Sequence, residues 1–588
     1  MTSKKLPLII LLATLTLCAP QLSAQLTING APPVYDSRTK TYMVTLPESA
    51  FGGAFHADAV LDDDIASVVI NGQTVTTDVD FPLVDGSTSY TFVFTKQNGT
   101  TTRSTLHFTY LPIMILTGSF SDDYITAPVK MIFPDGNGVQ NYRARIKNAG
   151  ASTNTQWVHK NNLHVKFVDD NGEKMDVSFF GLRNDNHWRL DAGTRDMIRF
   201  RNYAANGLWA DFGAKTYYAD KEPKARSYIR GSHVEVFLNN QYYGFYNLHE
   251  FLDRKQLKLK KYAVVDNEDD DSTHVEFHGL MWKAKTANTQ TLFLDCAAAL
   301  DNTKDNWGGF DIEYPDIDDV CPTNYDVLYN AIQFTAQSRD TAFINHADEY
   351  FDIPLIADYY MFINVVFGID NACNNMVWSC YDCAEDKKIT LSVWDLDATV
   401  GQHYTDIDGY YHADVIQPEN ELESVPSNMC GLSSNRLFKQ LKKIPVYRRM
   451  AVNRYWQLRE TVLDPDSLVA RYTAIYDRLD NCGALAREAV RWSDTGDIAH
   501  RFLVFDEEFE YLCDWLRRRI AYLDTHTFAR LLGDVDGDGL VNMKDVTTLI
   551  AHLLSPSTPI DEINSDVDTD NVITVGDLST LISIILNQ

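Results

Sequence analysis

Residues 370–375 read Asp-Asn-Ala-Cys-Asn-Asn, and residues 394–401 read Trp-Asp-Leu-Asp-Ala-Thr-Val-Gly. A helix-like apolar stretch at 359–367 precedes the first motif, and the interval between the two motifs fits a hairpin. Phosphoryl transfer needs a carboxylate that positions the attacking hydroxyl and hard oxygen ligands for magnesium. The Asp-x-x-x-x-Asn spacing followed by a later acidic turn supplies both. Each motif alone is also compatible with ordinary helix-end caps or a structural turn, and only their combination is informative.

Length and composition indicate a globular protein with several domains. The chain has 588 residues, which is too long for a single hydrophobic core. Its formal charge is −29. Such acidity disfavours nucleic acid and anionic membranes as partners. No stretch after the N-terminus approaches the roughly 20 apolar residues of a membrane span.

The N-terminus has the order of a secretory signal peptide. Lys4 and Lys5 precede an apolar run, and small residues precede a cleavage position after Ala24. The alternative, a lipid acceptor at Cys18, is disfavoured by the bulky Leu17. A signal peptide over 1–24 predicts a periplasmic, cell-surface or extracellular location.

The cysteine content is consistent with an oxidising compartment. Of nine cysteines, Cys18 lies in the leader, and the even remainder permits disulfides. Cys380 and Cys383 form a CxxC without a second CxxC or spaced histidines, so a disulfide is favoured over zinc.

Three regions follow the leader. Residues 25–112 have alternating β-branched and aromatic runs with a hairpin signal at Asn98-Gly99, which predicts an all-β sandwich of immunoglobulin-like style. Residues 113–530 have strand-like segments first and helical spacing later, for example at 436–463 and 505–523. That order predicts an α+β domain of two lobes.

The C-terminal region, 531–588, contains a duplicated acidic loop. Asp534-Val535-Asp536-Gly537-Asp538-Gly539 is repeated 32 residues later as Asp566-Val567-Asp568-Thr569-Asp570-Asn571. Calcium needs six to eight oxygen ligands, and carboxylates at positions 1, 3 and 5 of a twelve-residue loop surround one point. The predicted ligands are Asp534, Asp536, Asp538, Asn542, Asp545 and the Leu540 carbonyl, then Asp566, Asp568, Asp570, Thr574, Asp577 and the Val572 carbonyl.

An apolar helical pattern follows each loop, and position 12 is Asp rather than Glu. Two such EF-hand-like units about 30 residues apart resemble a type I dockerin. The resemblance implies calcium-dependent binding of a cohesin-like partner protein through Thr547, Thr548, Ser579 and Thr580, the residues just after the loops.

Residues 115–528 resemble the CotH kinase family. The stretch Val234–Tyr246, ending in Glu250, is similar to the family's Asn-Gly-x-Tyr-x-Gly-x-Tyr hairpin, and His159–Phe167 is similar to its lysine-bearing strand. Arg201-Asn202 matches an Arg-Asn on the family's first helix. The family's Arg-Gly and Asn-Gly are Ala149-Gly150 and Asn239-Asn240 here, which departs from the pattern on the nucleotide side.

The resemblance implies a kinase-like fold and a protein kinase that uses ATP and Mg²⁺. Asp370 would be the catalytic carboxylate and Asn375 a magnesium ligand, with Asp395, Asp397 or both as the metal-binding aspartate. Two further roles are implied: Lys160 on the phosphates, with Lys166 as a nearby alternative, and Glu250 as a nucleotide-side or ion-pairing carboxylate.

The leading hypothesis is therefore an exported kinase that phosphorylates a protein or another hydroxyl acceptor and is docked through its dockerin. The alternatives are an inactive surface or binding protein with the same fold, and an accessory component of extracellular polysaccharide degradation.

Overall fold

The computed structural model describes residues 26–150, 154, 158–266, 273–296, 298–403, 414–425, 431–493 and 503–587. The predicted signal peptide at 1–24 and Cys430 lie outside the described residues. The described chain forms two compact units. One runs to Ile113 and adds Lys130–Gln140, and the other comprises Met114–Val129 and the residues from Asn141 onward.

The first unit is built from β-strands, as predicted for the N-terminal region. Its strands are β1 (Leu26–Ile28), β2 (Val34–Asp36), β3 (Thr41–Thr45), β4 (Gly53–Leu61), β5 (Ile65–Ile70), β6 (Gln73–Val75), β7 (Asp78–Val84), β8 (Ser89–Lys96) and β9 (Thr101–Thr109). They form a sheet β2-β3-β9-β8-β5-β6 and a sheet β1-β4-β7 around one shared apolar core. The Asn98-Gly99 turn joins β8 to β9, with Gly99 at φ 84°.

A closed barrel of seven strands follows. Its strands are β10 (Ile113–Leu116), β11 (Ile125–Ile132), β12 (Val139–Ala149), β13 (Asn162–Val168), β14 (His187–Asp191), β15 (Gly231–Leu238) and β16 (Gln241–Glu250), in the order β10-β11-β12-β13-β14-β16-β15. Leu163, Val165 and Phe167 of β13 are buried, whereas His164 and Lys166 between them are half-buried. The two-residue period of the strand therefore leaves one face of the sheet polar.

Helices dominate the rest of the second unit. They are α1 (Arg201–Phe212), α2 (Arg254–Leu257), α3 (Asp326–Gln337), α4 (Asp340–Tyr350), α5 (Ile353–Val366), α6 (Arg436–Lys443), α7 (Pro445–Arg459), α8 (Pro465–Asn481), α9 (Ala484–Trp492) and α10 (Phe505–Thr525). Pro445 begins α7 and divides the predicted helix 436–463, because a proline cannot donate the backbone hydrogen bond that a continuous helix requires. The predicted α+β composition is confirmed.

Five strands form a second sheet beside these helices, and the sequence order did not indicate it. They are β19 (Leu280–Ala284), β20 (Asn306–Trp307), β21 (Phe310–Tyr314), β22 (Val377–Cys380) and β23 (Ile389–Ser392), in the order β20-β21-β19-β22-β23. A separate hairpin pairs β17 (Ala263–Asp266) with β18 (Thr273–Glu276). The hairpin β22–β23 occupies the interval predicted between the two acidic motifs.

The C-terminal part of the second unit has three helices: α11 (Met543–Leu554), α12 (Glu562–Ser565) and α13 (Val575–Leu586). Val535, Val546, Leu549, Val567 and Leu581 form its small buried core. Each predicted acidic loop leads directly into α11 or α13, as the sequence pattern indicated.

The described cysteines correct the disulfide expectation. Cys296, Cys321, Cys373, Cys380, Cys383 and Cys513 are free thiols. Throughout the described ranges, no helix combines the length and the apolar character needed to cross a bilayer.

Candidate catalytic site

The turn after α5 carries the first acidic motif. α5 ends where Phe367 adopts φ 55°, and a 3₁₀ turn then presents Asp370. The Asn375 amide donates a hydrogen bond of 2.7 Å to Asp370 Oδ2, and its backbone N–H donates to the Ala284 carbonyl on β19 at 3.0 Å. Asn375 has φ 50°, a left-handed conformation that asparagine tolerates. The two residues at the ends of the Asp-x-x-x-x-Asn spacing are thus in direct contact.

The second acidic motif lies against this turn. The Asn371 amide donates to the Trp394 carbonyl at 2.8 Å and so ties the loop after β23 to the loop after α5. Asp397 is half-buried, and its desolvation together with the carboxylates of Asp395 and Asp191 raises its pKa well above the usual value. The site therefore concentrates negative charge that a cation would neutralise.

Asp191 and Asn202 belong to the same site, although sequence reasoning gave neither a role there. The Asn202 amide donates to Asp191 Oδ2 at 2.8 Å, and its oxygen accepts the Leu396 backbone N–H at 3.1 Å. Burial alone would raise the pKa of Asp191, but His249, Arg189 and Asn202 hold it below its usual value. The Arg201-Asn202 pair quoted for the family resemblance was the available signal.

Two cations lie beside the second motif. Lys283 Nζ is 4.8 Å and Arg189 Cζ is 5.8 Å from the centroid of the Trp394 ring. A cavity of about 20 Å³ lies between Arg189, Asp191, Trp394 and Asp395. A volume of that size holds roughly one water-sized species. The cleft therefore places basic and acidic groups around a small space.

Each C-terminal loop brings acidic side chains together. Carboxylate oxygens of Asp534, Asp536 and Asp538 lie within 4.8 Å of one another, and the same holds for Asp566, Asp568 and Asp577. Within the described residues, these are the two places where three such ligand atoms converge. Within the same described ranges, the carboxylates of the two acidic motifs do not converge to this degree.

The remaining predicted loop ligands lie at the following positions. The two carboxylate oxygens of Asp545 accept the backbone N–H groups of Val535 and Asn542. Those of Asp577 accept the backbone N–H groups of Val567 and Thr574 in the same way. Asn542 and Thr574 cap α11 and α13, and Asp570 accepts the Val572 backbone N–H. The Leu540 and Val572 side chains are aliphatic and exposed, and the backbone carbonyls are the candidate ligands of these two residues.

A family model described as CotH kinase protein matches residues 146–523. The chain belongs to the CotH kinase protein family. A second model, Dockerin type I domain, matches residues 532–586, so the CotH region is followed by a dockerin. The curated proteins that were searched include no match to the chain.

Lys160 of the CotH region does not have the position expected of a phosphate-contacting lysine. Its ammonium group is fully buried and donates to the Ala192 carbonyl at 2.9 Å, the Phe245 carbonyl at 2.7 Å and Glu488 at 2.8 Å. Burial, opposed by Glu488, lowers the pKa of Lys160 to about 8. All three N–H donors are used within the domain, which leaves none for a nucleotide. These contacts argue against a phosphate-contacting role for Lys160, which stays a prediction.

Glu250 forms ion pairs, which agrees with one of its two expected roles. Its buried carboxylate is 2.7 Å from Arg230 Nη2 and 3.4 Å from Arg226 Nη2, and it accepts the Arg183 backbone N–H at 2.8 Å. Although burial alone would raise the pKa of Glu250, the hydrogen bonds and arginine charges lower it. The residue anchors the end of β16.

A basic cluster lies on the polar face of the barrel. Arg145 Cζ, Lys147 Nζ and Lys166 Nζ are 5.1, 4.8 and 5.0 Å from the centroid of the Tyr124 ring. Lys147 is paired across the sheet with His164, which is paired in turn with Arg189. The cluster is therefore on the same face as Arg189, and it includes the alternative lysine, Lys166.

Four histidines in and beside this sheet face stay neutral. Burial is the largest cause that lowers the pKa of His164 to about 2, of His187 and His233 to about 3, and of His249 to about 4. His164 Nδ1 is 3.2 Å from His187 Nε2, and His187 stacks on Phe251 at 4.2 Å.

We expect these four histidines to make the folded protein less stable in acid. Below about pH 6.5 the imidazole of the unfolded chain binds a proton, whereas the same imidazole in the folded chain stays neutral. The free energy of unfolding therefore falls by about 1.4 kcal/mol per pH unit for each such histidine. The loss continues until the pH reaches the lowered pKa. His233→Gln is expected to reduce the pH dependence of the unfolding free energy between pH 6 and 5 by about that amount. Urea unfolding at several pH values tests this, with the exposed His346 replaced by Gln as control, and an unchanged slope would contradict it.

Proposed function

We propose that the CotH region is a phosphotransferase that moves the terminal phosphoryl group of ATP to a hydroxyl of a protein or another acceptor. The observation that carries this proposal is the hydrogen bond from Asn371 to the Trp394 carbonyl. It holds the Asp370 turn against the acidic loop, beside two cations. Phosphoryl transfer depends chiefly on such positioning and on charge stabilisation.

Asp370 is the carboxylate that orients the acceptor hydroxyl. It takes the proton as the acceptor oxygen bonds to phosphorus and the bond from phosphorus to the ADP oxygen breaks. Asn375 holds Asp370 Oδ2 at 2.7 Å and so fixes the carboxylate's direction. Arg189 and Lys283 replace Lys160 as the cations that contact the phosphates, because both lie beside Trp394 and Asp395.

Asn375, Asp395 and Asp397 offer the types of ligand oxygen that suit a magnesium ion. Asp397 is half-buried near the carboxylates of Asp395, Asp191 and Asp370, and desolvation together with these charges raises its pKa. Carboxylate and amide oxygens are the ligands that magnesium takes in phosphotransferases. Asn375, Asp395 and Asp397 would hold the ion, whose chemistry is to neutralise charge on the phosphate oxygens.

The proposal is tested by incubating the full chain with labelled ATP and magnesium. Asp370→Ala is expected to lower incorporation by about 10²–10⁴-fold, the range for loss of a positioned proton acceptor. Asp63→Ala changes an exposed aspartate of the N-terminal unit and should leave incorporation unchanged.

Equal incorporation by wild type and Asp370→Ala would overturn the catalytic assignment. Nucleotide binding without transfer would instead favour the inactive binding protein. Glycan binding without nucleotide binding would favour the accessory role in polysaccharide degradation.

The dockerin's partner surface is proposed on α11 and α13. Dockerins bind cohesin modules, and Thr547 and Ser579 are exposed here, with Thr548 and Thr580 half-buried beside them. Large apolar side chains on the same two helices and loops are also exposed, among them Leu540, Met543, Leu554, Val575 and Leu586. Apolar exposure of this kind marks an interaction surface. We propose that calcium in the two loops maintains this surface and that the protein works outside the cytoplasm.

A further inference from the structure

One helix of the CotH region contacts the dockerin's second calcium loop. Arg449 and Asn453 are four residues apart on α7 and therefore share one face. Arg449 Nη1 is 3.0 Å from Glu562 Oε2, and Nη2 donates to the Asn571 carbonyl at 3.0 Å. The Asn453 amide donates to Asp566 Oδ2 at 2.7 Å and to Asn571 Oδ1 at 3.0 Å.

The contact involves Asp566, the first predicted ligand of the loop, through the carboxylate oxygen that is not left for the metal. In the described residues, Oδ1 of Asp566 is buried without a hydrogen-bond partner, while Oδ2 accepts the Asn571 backbone N–H at 3.0 Å. The first loop has the same arrangement: Asp534 Oδ1 has no partner there, and Oδ2 accepts the Gly539 N–H at 3.0 Å. Oδ1 is thus the oxygen left for the metal, and Asn453 binds the other one.

The two loops differ in what surrounds them. In the first loop, Lys544 of the dockerin itself lies 2.6 Å from Asp536 and 3.0 Å from Asp538. In the second, Arg449 Nε lies 3.4 Å from Asp566 Oδ2, so a CotH residue neutralises the ligand that binds the metal. Asn571, at the position that is Gly539 in the first loop, takes part in this contact. Asn571 keeps the left-handed backbone, at φ 71°, and its side chain accepts from Asn453.

We propose that Arg449 and Asn453 are positioning residues of the second calcium site. Donors on the outer oxygen of a carboxylate orient it toward the metal, and removing such a donor typically lowers metal affinity about 10–100-fold. Calcium in this loop and its contact with α7 therefore stabilise each other. The inference depends on calcium binding by the dockerin and is independent of phosphate transfer.

The test is calcium titration of the full chain by calorimetry, with competition by a chelator. Asp566→Ala identifies the second site by removing its first ligand. Arg449→Met combined with Asn453→Ala is expected to weaken that site about 10–100-fold and to leave the first site unchanged. Arg448→Met alters the exposed neighbouring arginine on α7 and should change neither site.

A second variant leaves α7 unchanged, so that misfolding of α7 cannot explain its effect. Asn571→Gly installs the residue of the first loop, suits the positive φ and removes the side chain that Asn453 contacts. It is expected to weaken the second site alone. Calcium should also raise the melting temperature of the CotH region in wild type, and less so in Arg449→Met with Asn453→Ala.

Wild-type affinity at both sites in these variants would overturn the proposal, as would equal weakening of both sites. A chain that binds no calcium at all would overturn the dockerin's calcium role together with it. Weaker calcium binding at the second site alone, in Arg449→Met combined with Asn453→Ala, would support the proposal.

Discussion

Glu488→Leu is expected to lower the free energy of unfolding of the CotH region by about 3–5 kcal/mol, the usual cost of breaking a buried ion pair. Glu488 on α9 has no solvent exposure and lies 2.8 Å from Lys160 Nζ and 3.2 Å from Arg199 Nε. Without it, two buried cations lose their counter-charge. Because Lys160 is 328 residues from Glu488 in sequence, the pair links the barrel to the helices. Chemical denaturation monitored by circular dichroism measures the effect.

Glu510→Leu is the matched control, because it removes an exposed carboxylate from α10 and should change stability by no more than about 0.5 kcal/mol. Lys160→Met supplies a second readout. Because Lys160 has no free donor, this variant should bind ATP with wild-type affinity at temperatures where it remains folded. Loss of ATP affinity without unfolding would restore the phosphate-contacting role predicted from sequence.

Removal of calcium is expected to unfold residues 531–588 while the CotH region stays folded. The dockerin core contains few large side chains, and two groups of three carboxylates repel each other unless a cation lies between them. At a calcium concentration 1,000 times the Kd, binding contributes about 4.1 kcal/mol of stability. A core of this size cannot replace that contribution.

Limited proteolysis with mass spectrometry measures this on the full chain. EDTA should expose cleavage sites within 531–588, and calcium should protect them again. Magnesium should not restore protection, because it is smaller and gives up its water reluctantly. An identical cleavage pattern with and without EDTA would contradict the prediction.

The calcium loops and the two acidic motifs could be predicted from the sequence because their chemistry is local. A twelve-residue loop fixes its own ligand spacing, and the residues after it begin a helix whatever lies elsewhere. Likewise, Asp370 and Asn375 are close because one turn separates them. The alternation of buried and polar residues on β13 similarly follows from strand geometry alone.

Only the tertiary structure determined which basic side chain pairs with which acidic or aromatic one. Lys160 and Lys166 lie six residues apart on the same segment, and only the packing of α9 shows that Lys160 pairs with Glu488. Arg189 and Lys283 meet Trp394 from two different sheets, and Asn453 reaches Asp566 from 113 residues away. Charge pairing acts across space and carries no sequence period, so these partners became visible only in the folded chain.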